Sequence, residues 1–322
     1  MEASMDTIPV IDVSPLASPD EAARRRIAAE IGAACRGIGF FYVGGHGIAA
    51  DALAEVFASA NGFFGLPVAE KTVLSIERSP HNRGYVGLGG ESLDPSKPAD
   101  LKEAFNIGLE LAPDDPEVAA GKPFRGINLW PDGEDFRATM LAYYEAVLDL
   151  GRRLHRGFAF DLGLPEDYFA AALVRPAASL RLLHYPPRPA VIAEGQAGAG
   201  EHTDYGNLTL LLVDGVAGLE VRTRDGRWID APHIPGTFVC NIGDCLMRWT
   251  NDVYVSTPHR VRPPERERTS VAFFLDADPD ARVEALPGCV SPARPARYPP
   301  ITAGDYLAER LDATYAFRRK AV

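Results

Sequence analysis

The sequence has few of the features that mark secreted, membrane or nucleic-acid-binding chains. It holds only four cysteines in 322 residues, and none is in a CxxC pair. That excludes a disulfide scaffold and fits a reducing compartment. Cys35 falls in an apolar helical stretch and is read as core. Cys240 and Cys245 flank an Asn-Ile-Gly-Asp turn and are not read as a metal or disulfide pair. No apolar run approaches the ~18–20 residues of a membrane span. The first residues, MEASMDTIPVIDVSPL, lack the basic and apolar regions of a secretory signal, so the expected location is cytoplasmic. Positive charge is also scarce: 33 Lys and Arg stand against 44 Asp and Glu, a net charge of −11. An acidic chain without a basic stripe excludes a general nucleic-acid binder. No internal repeat is visible. The partner expected is a small molecule, with no nucleic acid and no membrane, and the chain is expected to act as a monomer.

Glycine and proline are plentiful, 30 and 27 residues. That suits many short strands and turns. Ile8 to Asp12 reads as a short first strand. Ser18-Pro19-Asp20-Glu21 reads as a capping box opening a helix with Ile27, Ile31, Ala34 and Cys35 on one face. Gly39 to Val43 reads as a strand. A second helix carries Leu53, Val56, Phe57, Ala60, Phe63 and Phe64 and stops near Gly65. Residues 78–110 are rich in Gly, Pro, Asp and Lys and are read as a mobile loop with short strands. The longest helix is expected over about 132–160, with Phe136, Met140, Leu141, Tyr144, Val147, Leu148 and Leu154 inward. After Pro176 the texture turns β. Runs at Ser179–Tyr185, Leu208–Val213, Leu219–Thr223, Arg227–Asp230, Thr237–Cys240, Val253–Ser256 and Thr269–Leu275 alternate with turns, as in a barrel or jelly roll. A last helix is expected from Tyr306 to Phe317. The chain thus divides into an N-terminal helical and strand segment, 1–110, and a catalytic core, 111–322, within one integrated domain.

Chemistry concentrates at Glu201-His202-Thr203-Asp204. Residues i and i+2 of a strand point to one face, so His202 and Asp204 are expected side by side. A third donor must come from elsewhere, and Ser256-Thr257-Pro258-His259 supplies one, 57 residues on. Two imidazoles and one carboxylate on one side of a metal leave the other side open. This is the facial triad of non-haem iron(II) oxygenases, where a co-substrate and dioxygen must both reach the metal. The remaining histidines are assigned bland roles. His233 is read as exposed, His155 as a satisfied surface or boundary residue, and His46 as a structural hydrogen-bonder. His81 falls in the irregular segment, and His184 has the wrong parity if Tyr185 faces inward. Nine residues after His259, Arg268 and Ser270 share a face. A guanidinium fork beside a hydroxyl suits an organic carboxylate.

On these motifs the sequence resembles the isopenicillin N synthase-like branch of the iron(II)/2-oxoglutarate-dependent oxygenases. The matching text is HTDYGNLTLLLVDGVAGLEVR, FVCNIGDCLMRWTNDVYVSTPHRV and RTSVAFFL, with IPVIDVSPL, GFFYVGGHGI and LRLLHYPPRP upstream. The resemblance covers about residues 8 to 317. It implies a mixed α and β chain with a double-stranded β-helix (jelly-roll) core and flanking helices. It implies Fe(II) on His202, Asp204 and His259. It implies 2-oxoglutarate held by Arg268, Ser270 and Tyr185, and dioxygen as the oxidant. Plant members commonly place Asn two residues before this Tyr, where this chain has Leu183. The implied reaction couples decarboxylation of 2-oxoglutarate, to succinate and carbon dioxide, with oxidation of a C–H bond. Two other readings are kept: a 2-oxoglutarate-independent oxidase or cyclase like isopenicillin N synthase, and a non-enzymatic metal-binding β-barrel. Against the cyclase, Asn82 stands two positions before Gly84, where the peptide cyclase has Arg. Parity adds substrate candidates. Arg181 and Leu183 share the face of Tyr185, and Phe274 shares that of Ser270. Tyr205 follows the HxD and overhangs the metal. With Asn82, these suit a small polar or planar substrate. Residues 78–110 and the end of the last helix are expected to close over it.

Overall fold

The computed structural model describes residues 7–93 and 96–314. The first strand, β1 (Val10–Asp12), leads to α1 (Glu21–Arg36), β2 (Phe40–Gly44), α2 (Ala50–Phe64) and α3 (Val68–Val73). Two short strands follow, β3 (Gly84–Val86) and β4 (Glu103–Gly108), then α4 (Pro116–Ala119) and the long α5 (Glu134–Asp161). The β-rich part comprises β5 (Ser179–Tyr185), β6 (Ala199–His202), β7 (Leu208–Val213), β8 (Leu219–Arg222), β9 (Trp228–Asp230) and β10 (Phe238–Ile242). After α6 (Asp244–Trp249) come β11 (His259–Val261), β12 (Arg268–Leu275), β13 (Arg282–Val283), β14 (Ile301–Thr302) and α7 (Ala303–Thr314).

One sheet runs β1-β2-β10-β7-β12-β5-β4-β3 and a second runs β6-β11-β8-β9. Apart from the parallel β1–β2 pair, the pairings in both sheets are antiparallel. These sheets form the double-stranded β-helix. Alternation assigns the two faces of the large sheet. Leu180, Leu182, Leu210, Val271 and Phe273 join the core under α1, α2 and α5. Leu183, Tyr185, Ala272 and Val239 pack instead with Leu219, Val221 and Val261 of the small sheet, around the barrel interior. Helix α5 sits close because it carries Gly151. A Cβ there would lie 2.5 Å from Leu275 Cδ2. The first 110 residues supply four of the eight strands in the large sheet, so the barrel wall is built from both ends of the chain.

Several local readings need correction. Helix α1 is capped by Asp20, whose side chain accepts from Ala22 N. Ser18 instead accepts from Asp20 N, so the cap falls two residues later than the box implied. Val253–Ser256 is not a strand. Asn251 and Asp252 take left-handed φ values of 53° and 63° after α6, and Val255 N then donates to Cys35 O. Tyr315 and Phe317, expected on the last helix, lie outside the described residues.

His155 is not a surface residue: it is 1% exposed. Its Nδ1 bonds Gly151 O at 2.8 Å, and its Nε2 lies 3.5 Å from Asn207 Nδ2 on the loop after the HxD. Burial pushes the imidazole down to about 4. An unfolded histidine titrates near ~6.5. Between those values the unfolded chain takes up a proton that the folded chain refuses. This contribution to stability is complete above ~6.5 and falls as pH drops towards 4, by up to about 3 kcal/mol. Urea denaturation of the metal-free protein at about pH 5 and about pH 7.5 should show that slope. His155→Gln should flatten it. An unchanged slope would mean that His155 takes up its proton as readily in the folded chain as in the unfolded one.

Candidate active site

Strands β6 and β11 pair antiparallel with His202 directly opposite His259. Their rings sit 4.3 Å apart. Strand β6 ends at His202, so the HxD is not a stretch of strand: Asp204 lies on the loop beyond it. What brings Asp204 back is the start of α6, where Asp244 N donates to Asp204 O at 2.7 Å. Asp204 Oδ1 then lies 3.7 Å from His202 Nε2 and 3.6 Å from His259 Nε2. The three ligating atoms fall within 4.8 Å of one another.

Each donor is oriented by a second contact. His202 Nδ1 bonds Gly200 O at 2.7 Å and His259 Nδ1 bonds Thr257 O at 3.1 Å. A proton on each Nδ1 leaves each Nε2 with a lone pair facing inward. Asp204 Oδ2 accepts from Thr209 Oγ1 (2.6 Å) and Asn241 Nδ2 (2.7 Å), which leaves Oδ1 towards the imidazoles. Thr209 and Asn241 are opposite residues in the β7–β10 register. Burial opposes charge on Asp204, but the two imidazoles and these two hydrogen bonds outweigh it and hold its pKa below the usual carboxylate value. Burial and the neighbouring His259 push His202 down to about 4, so it is neutral at pH 7. Neutral imidazoles and an ionised carboxylate are the protonation states a divalent metal needs. The donor set fits iron(II).

Deeper in the barrel, Arg268 is 1% exposed. Its Nη1 donates to Ser270 Oγ at 3.1 Å and its Nε to Val216 O at 3.3 Å. Tyr185 faces it across the β12–β5 ladder, with the guanidinium 4.8 Å over the ring centroid. Among the described residues Arg268 has no carboxylate partner. A buried cation without an acid is costly, and an anion brought in by a ligand would offset that cost. Leu183 lies opposite Ser270 and adds no polar contact.

Two family models match the chain. A non-haem dioxygenase N-terminal model, described for morphine synthesis, covers residues 8–133, and a 2OG-Fe(II) oxygenase superfamily model covers residues 176–277. A 2-oxoglutarate-Fe(II) type oxidoreductase of Emericella nidulans is 36% identical over 95% of this chain and 90% of its own length. The chain belongs to the 2OG-Fe(II) oxygenase superfamily. A homoarginine-6-hydroxylase of Oryza sativa is 37% identical, over 97% of this chain and 98% of the relative. The full-length T7H of Neurospora crassa, solved with alpha-KG, superposes with a TM-score of 0.85 at 34% identity, covering 97% of this chain and 99% of that one. A second structure of it, with alpha-KG and thymine, gives 0.84 at 34% identity, over 95% and 96%. The oxygenase is therefore an iron(II)- and 2-oxoglutarate-dependent dioxygenase acting on a small molecule. The names of its relatives give no support to the 2-oxoglutarate-independent or non-enzymatic readings.

In the oxygenase one cavity is lined by His202, Asp204, His259, Arg268, Ser270 and Tyr185 together. Arg181, Leu183, Tyr205, Phe274 and Asn82 line it too. The β12–β5 register stacks its wall by depth. Arg268–Tyr185 lies at one end, then Ser270–Leu183, then Ala272–Arg181, and Phe274–Ser179 at the other end. Arg181 is not an isolated cation. Its two Nη atoms bond both oxygens of Glu91, at 3.2 and 2.7 Å. Lys102 Nζ joins them, 3.1 Å from Glu91 Oε2 and 2.5 Å from Asp100 Oδ2. Asp100 Oδ1 accepts from Gly200 N, whose carbonyl orients His202.

The sequence marks Asp100 to Asn106 only as part of an entrance, and gives no sign of Glu91 or of the network that joins it to Lys102 and Asp100. Glu91 and Arg181 are 90 residues apart, and no local pattern links them. Asn241, which the sequence places in an Asn-Ile-Gly-Asp turn, is the last but one residue of β10 and holds the Asp204 carboxylate. The bland readings of His46 and His184 agree with the structure. His46 bonds Gly236 O and Ile48 N. His184 points away to Glu103 and Glu267. No described helix is long and apolar enough to cross a membrane.

Proposed function

We propose that the chain oxidises a C–H bond of a small polar, planar organic molecule seated between the iron site and the outer wall of the barrel. In this reading His202, Asp204 and His259 hold the iron. Arg268, Ser270 and Tyr185 hold the distal carboxylate of 2-oxoglutarate. Arg181, Leu183, Tyr205, Phe274 and Asn82 form the substrate wall. The observation that carries it is the single cavity into which the three converging donors and a buried arginine without an acid both open. When bound, iron(II), 2-oxoglutarate and dioxygen would supply the oxidising chemistry: dioxygen is the oxidant, one of its oxygen atoms ending in succinate as carbon dioxide leaves and the other serving oxidation of the substrate C–H bond. The protein supplies position and dryness. The backbone bonds to both Nδ1 atoms fix the imidazoles, and Asn241 and Thr209 fix the carboxylate. The Arg268 fork sets the depth of the co-substrate.

Closure keeps water out. Leu307 and Leu311 of α7 line the mouth with Phe124 and Tyr205. Arg310 ties α7 down, bonding Asp244 Oδ2 at 3.0 Å with its guanidinium 4.9 Å from the Tyr205 ring. In this reading the parts of 78–110 outside β3 and β4 act with α7 as the lid, the isopenicillin N synthase-like branch is the right placement, and the chain works as a cytoplasmic monomer without nucleic acid. Four free, buried cysteines support the reducing compartment.

The test is a panel of small polar and heteroaromatic compounds, scored by succinate formed above the substrate-free background. At least one should raise succinate several-fold and return an oxidised product. Under anaerobic iron(II) and 2-oxoglutarate, the same compound should slow hydrogen exchange in 78–110 and 303–314 while β7 stays unchanged. Succinate formation that no small molecule stimulates would sink the substrate class. Unchanged exchange in both segments would remove the lid.

A further inference from the structure

The cavity wall carries four cationic side chains besides the histidines: Arg83, Lys102, Arg181 and Arg268. Lys102 and Arg181 are neutralised by Glu91 and Asp100. Arg268 is matched by the 2-oxoglutarate carboxylate in the reading above. Arg83 has no such partner. It is 4% exposed, and among the described residues no carboxylate lies within ion-pair distance of it. Its Nη1 donates to His81 O at 3.0 Å and its Nη2 to Phe124 O at 3.4 Å, both backbone carbonyls. Its Nε is buried with no hydrogen-bond partner. A guanidinium has five N–H donors, so most of this fork is unused. The contrast within the fold is direct. Arg125, fully buried near the same wall, is paired with Glu117 and Asp278. Burial without an acid pushes Arg83 down to about 10, so it stays charged at neutral pH.

The position is also built. The Arg83 guanidinium lies flat against Gly108 of β4, where a Cβ would come within 1.9 Å of Cζ. Gly108 pairs with Ser179 on β5, and Ser179 pairs with Phe274 on β12. Thr209, which holds Asp204, is the next residue across from Phe274. Arg83 therefore stands at the depth of the iron site, on the far side of the cavity, and not at the depth of Arg268.

We propose that Arg83 is the substrate anchor and that the substrate is an organic anion, a carboxylate or a group of like shape and charge. This rests on the substrate cavity proposed above. With iron and 2-oxoglutarate bound, Arg83 still has no acid beside it, and a substrate carboxylate would supply one; Asp276, the remaining acid on the cavity wall, is held towards its neutral form by burial and offsets that charge only in part. A planar carboxylate matches the unused edge of the guanidinium fork.

The experiment uses the full chain loaded with iron(II) and saturating 2-oxoglutarate without oxygen, so that Arg268 is already occupied. Binding is measured by calorimetry for a panel of small aliphatic, aromatic and heteroaromatic carboxylic acids, each beside its primary amide. At least one acid should bind tenfold or more tightly than its amide. Arg83→Gln should remove that preference. Arg83→Lys should keep part of it, because charge remains but the fork is lost. Gly108→Ala, which displaces the guanidinium without removing it, should weaken the acid more than the amide. If no acid outbinds its amide in the wild-type protein, or if the preference survives R83Q, the proposal is overturned. The wild-type comparison needs no variant, so poor folding of R83Q would not shield it. A protein that makes no succinate from 2-oxoglutarate would fail the function reading instead, whatever the acids do.

Discussion

His259→Ala should lose essentially all turnover and most of its iron. A three-residue facial site has no spare donor. Thr209 and Asn241, which flank the metal position, are already committed to Asp204 Oδ2. Changing a residue that merely orients a metal ligand typically costs 10–100-fold in affinity or activity. Removing the ligand itself should exceed that, with succinate formation falling by more than about 100-fold relative to wild type. The graded comparison is Asn241→Ala, which leaves all three donors in place and frees one carboxylate oxygen to rotate. It should fall inside the 10–100-fold window. Iron content by elemental analysis and succinate by chromatography, at saturating iron(II), separate the two effects. Full turnover by H259A under those conditions would remove His259 from the ligand set.

Arg268→Ala should keep its iron and lose its grip on 2-oxoglutarate. The guanidinium is 1% exposed, with Ser270 Oγ and Val216 O as its hydrogen-bond partners among the described residues. Truncating one member of a buried charged pair costs roughly 2–5 kcal/mol. The 2-oxoglutarate requirement should therefore rise at least about tenfold, and by several hundredfold at the middle of that range. Ser270→Ala removes a neutral donor and should cost less, about 0.5–1.5 kcal/mol. Calorimetric titration of 2-oxoglutarate into the iron-loaded protein reads both. Unchanged affinity in R268A would mean that the carboxylate docks elsewhere.

What could be read from the sequence was what repeats locally. β5 and β7 fall at the residues their apolar runs marked, Ser179–Tyr185 and Leu208–Val213. The pairing of Arg268 with Ser270 follows from parity alone. Geometry that depends on register was out of reach. That Thr209 and Asn241 are neighbours depends on how β7 and β10 align, and no periodicity states it. The HxD showed the limit of parity itself. His202 and Asp204 do converge, but through a loop pinned by Asp244 N and not through a strand. Val253–Ser256 misled for the opposite reason. Its β-branched residues suit a strand, yet the left-handed pair Asn251 and Asp252 aims the chain along α1 with no strand to join.

The chain of contacts from Arg181 through Glu91, Lys102 and Asp100 to the Gly200 amide has a practical consequence for anyone redesigning this enzyme. Loops that shape a substrate wall are the usual targets for grafting, because most can be exchanged without touching the metal. Here the segment carrying Glu91 and Asp100 is wired to the amide of Gly200, the residue whose carbonyl orients His202. Replacing that segment from a homologue, or altering Arg181 alone to widen specificity, would leave a buried charge unmatched and loosen an iron ligand in the same step. Arg181, Glu91, Lys102 and Asp100 should be transplanted together or left alone. Specificity is more safely varied at Phe274 and Leu183, whose apolar side chains line the cavity without a polar contact.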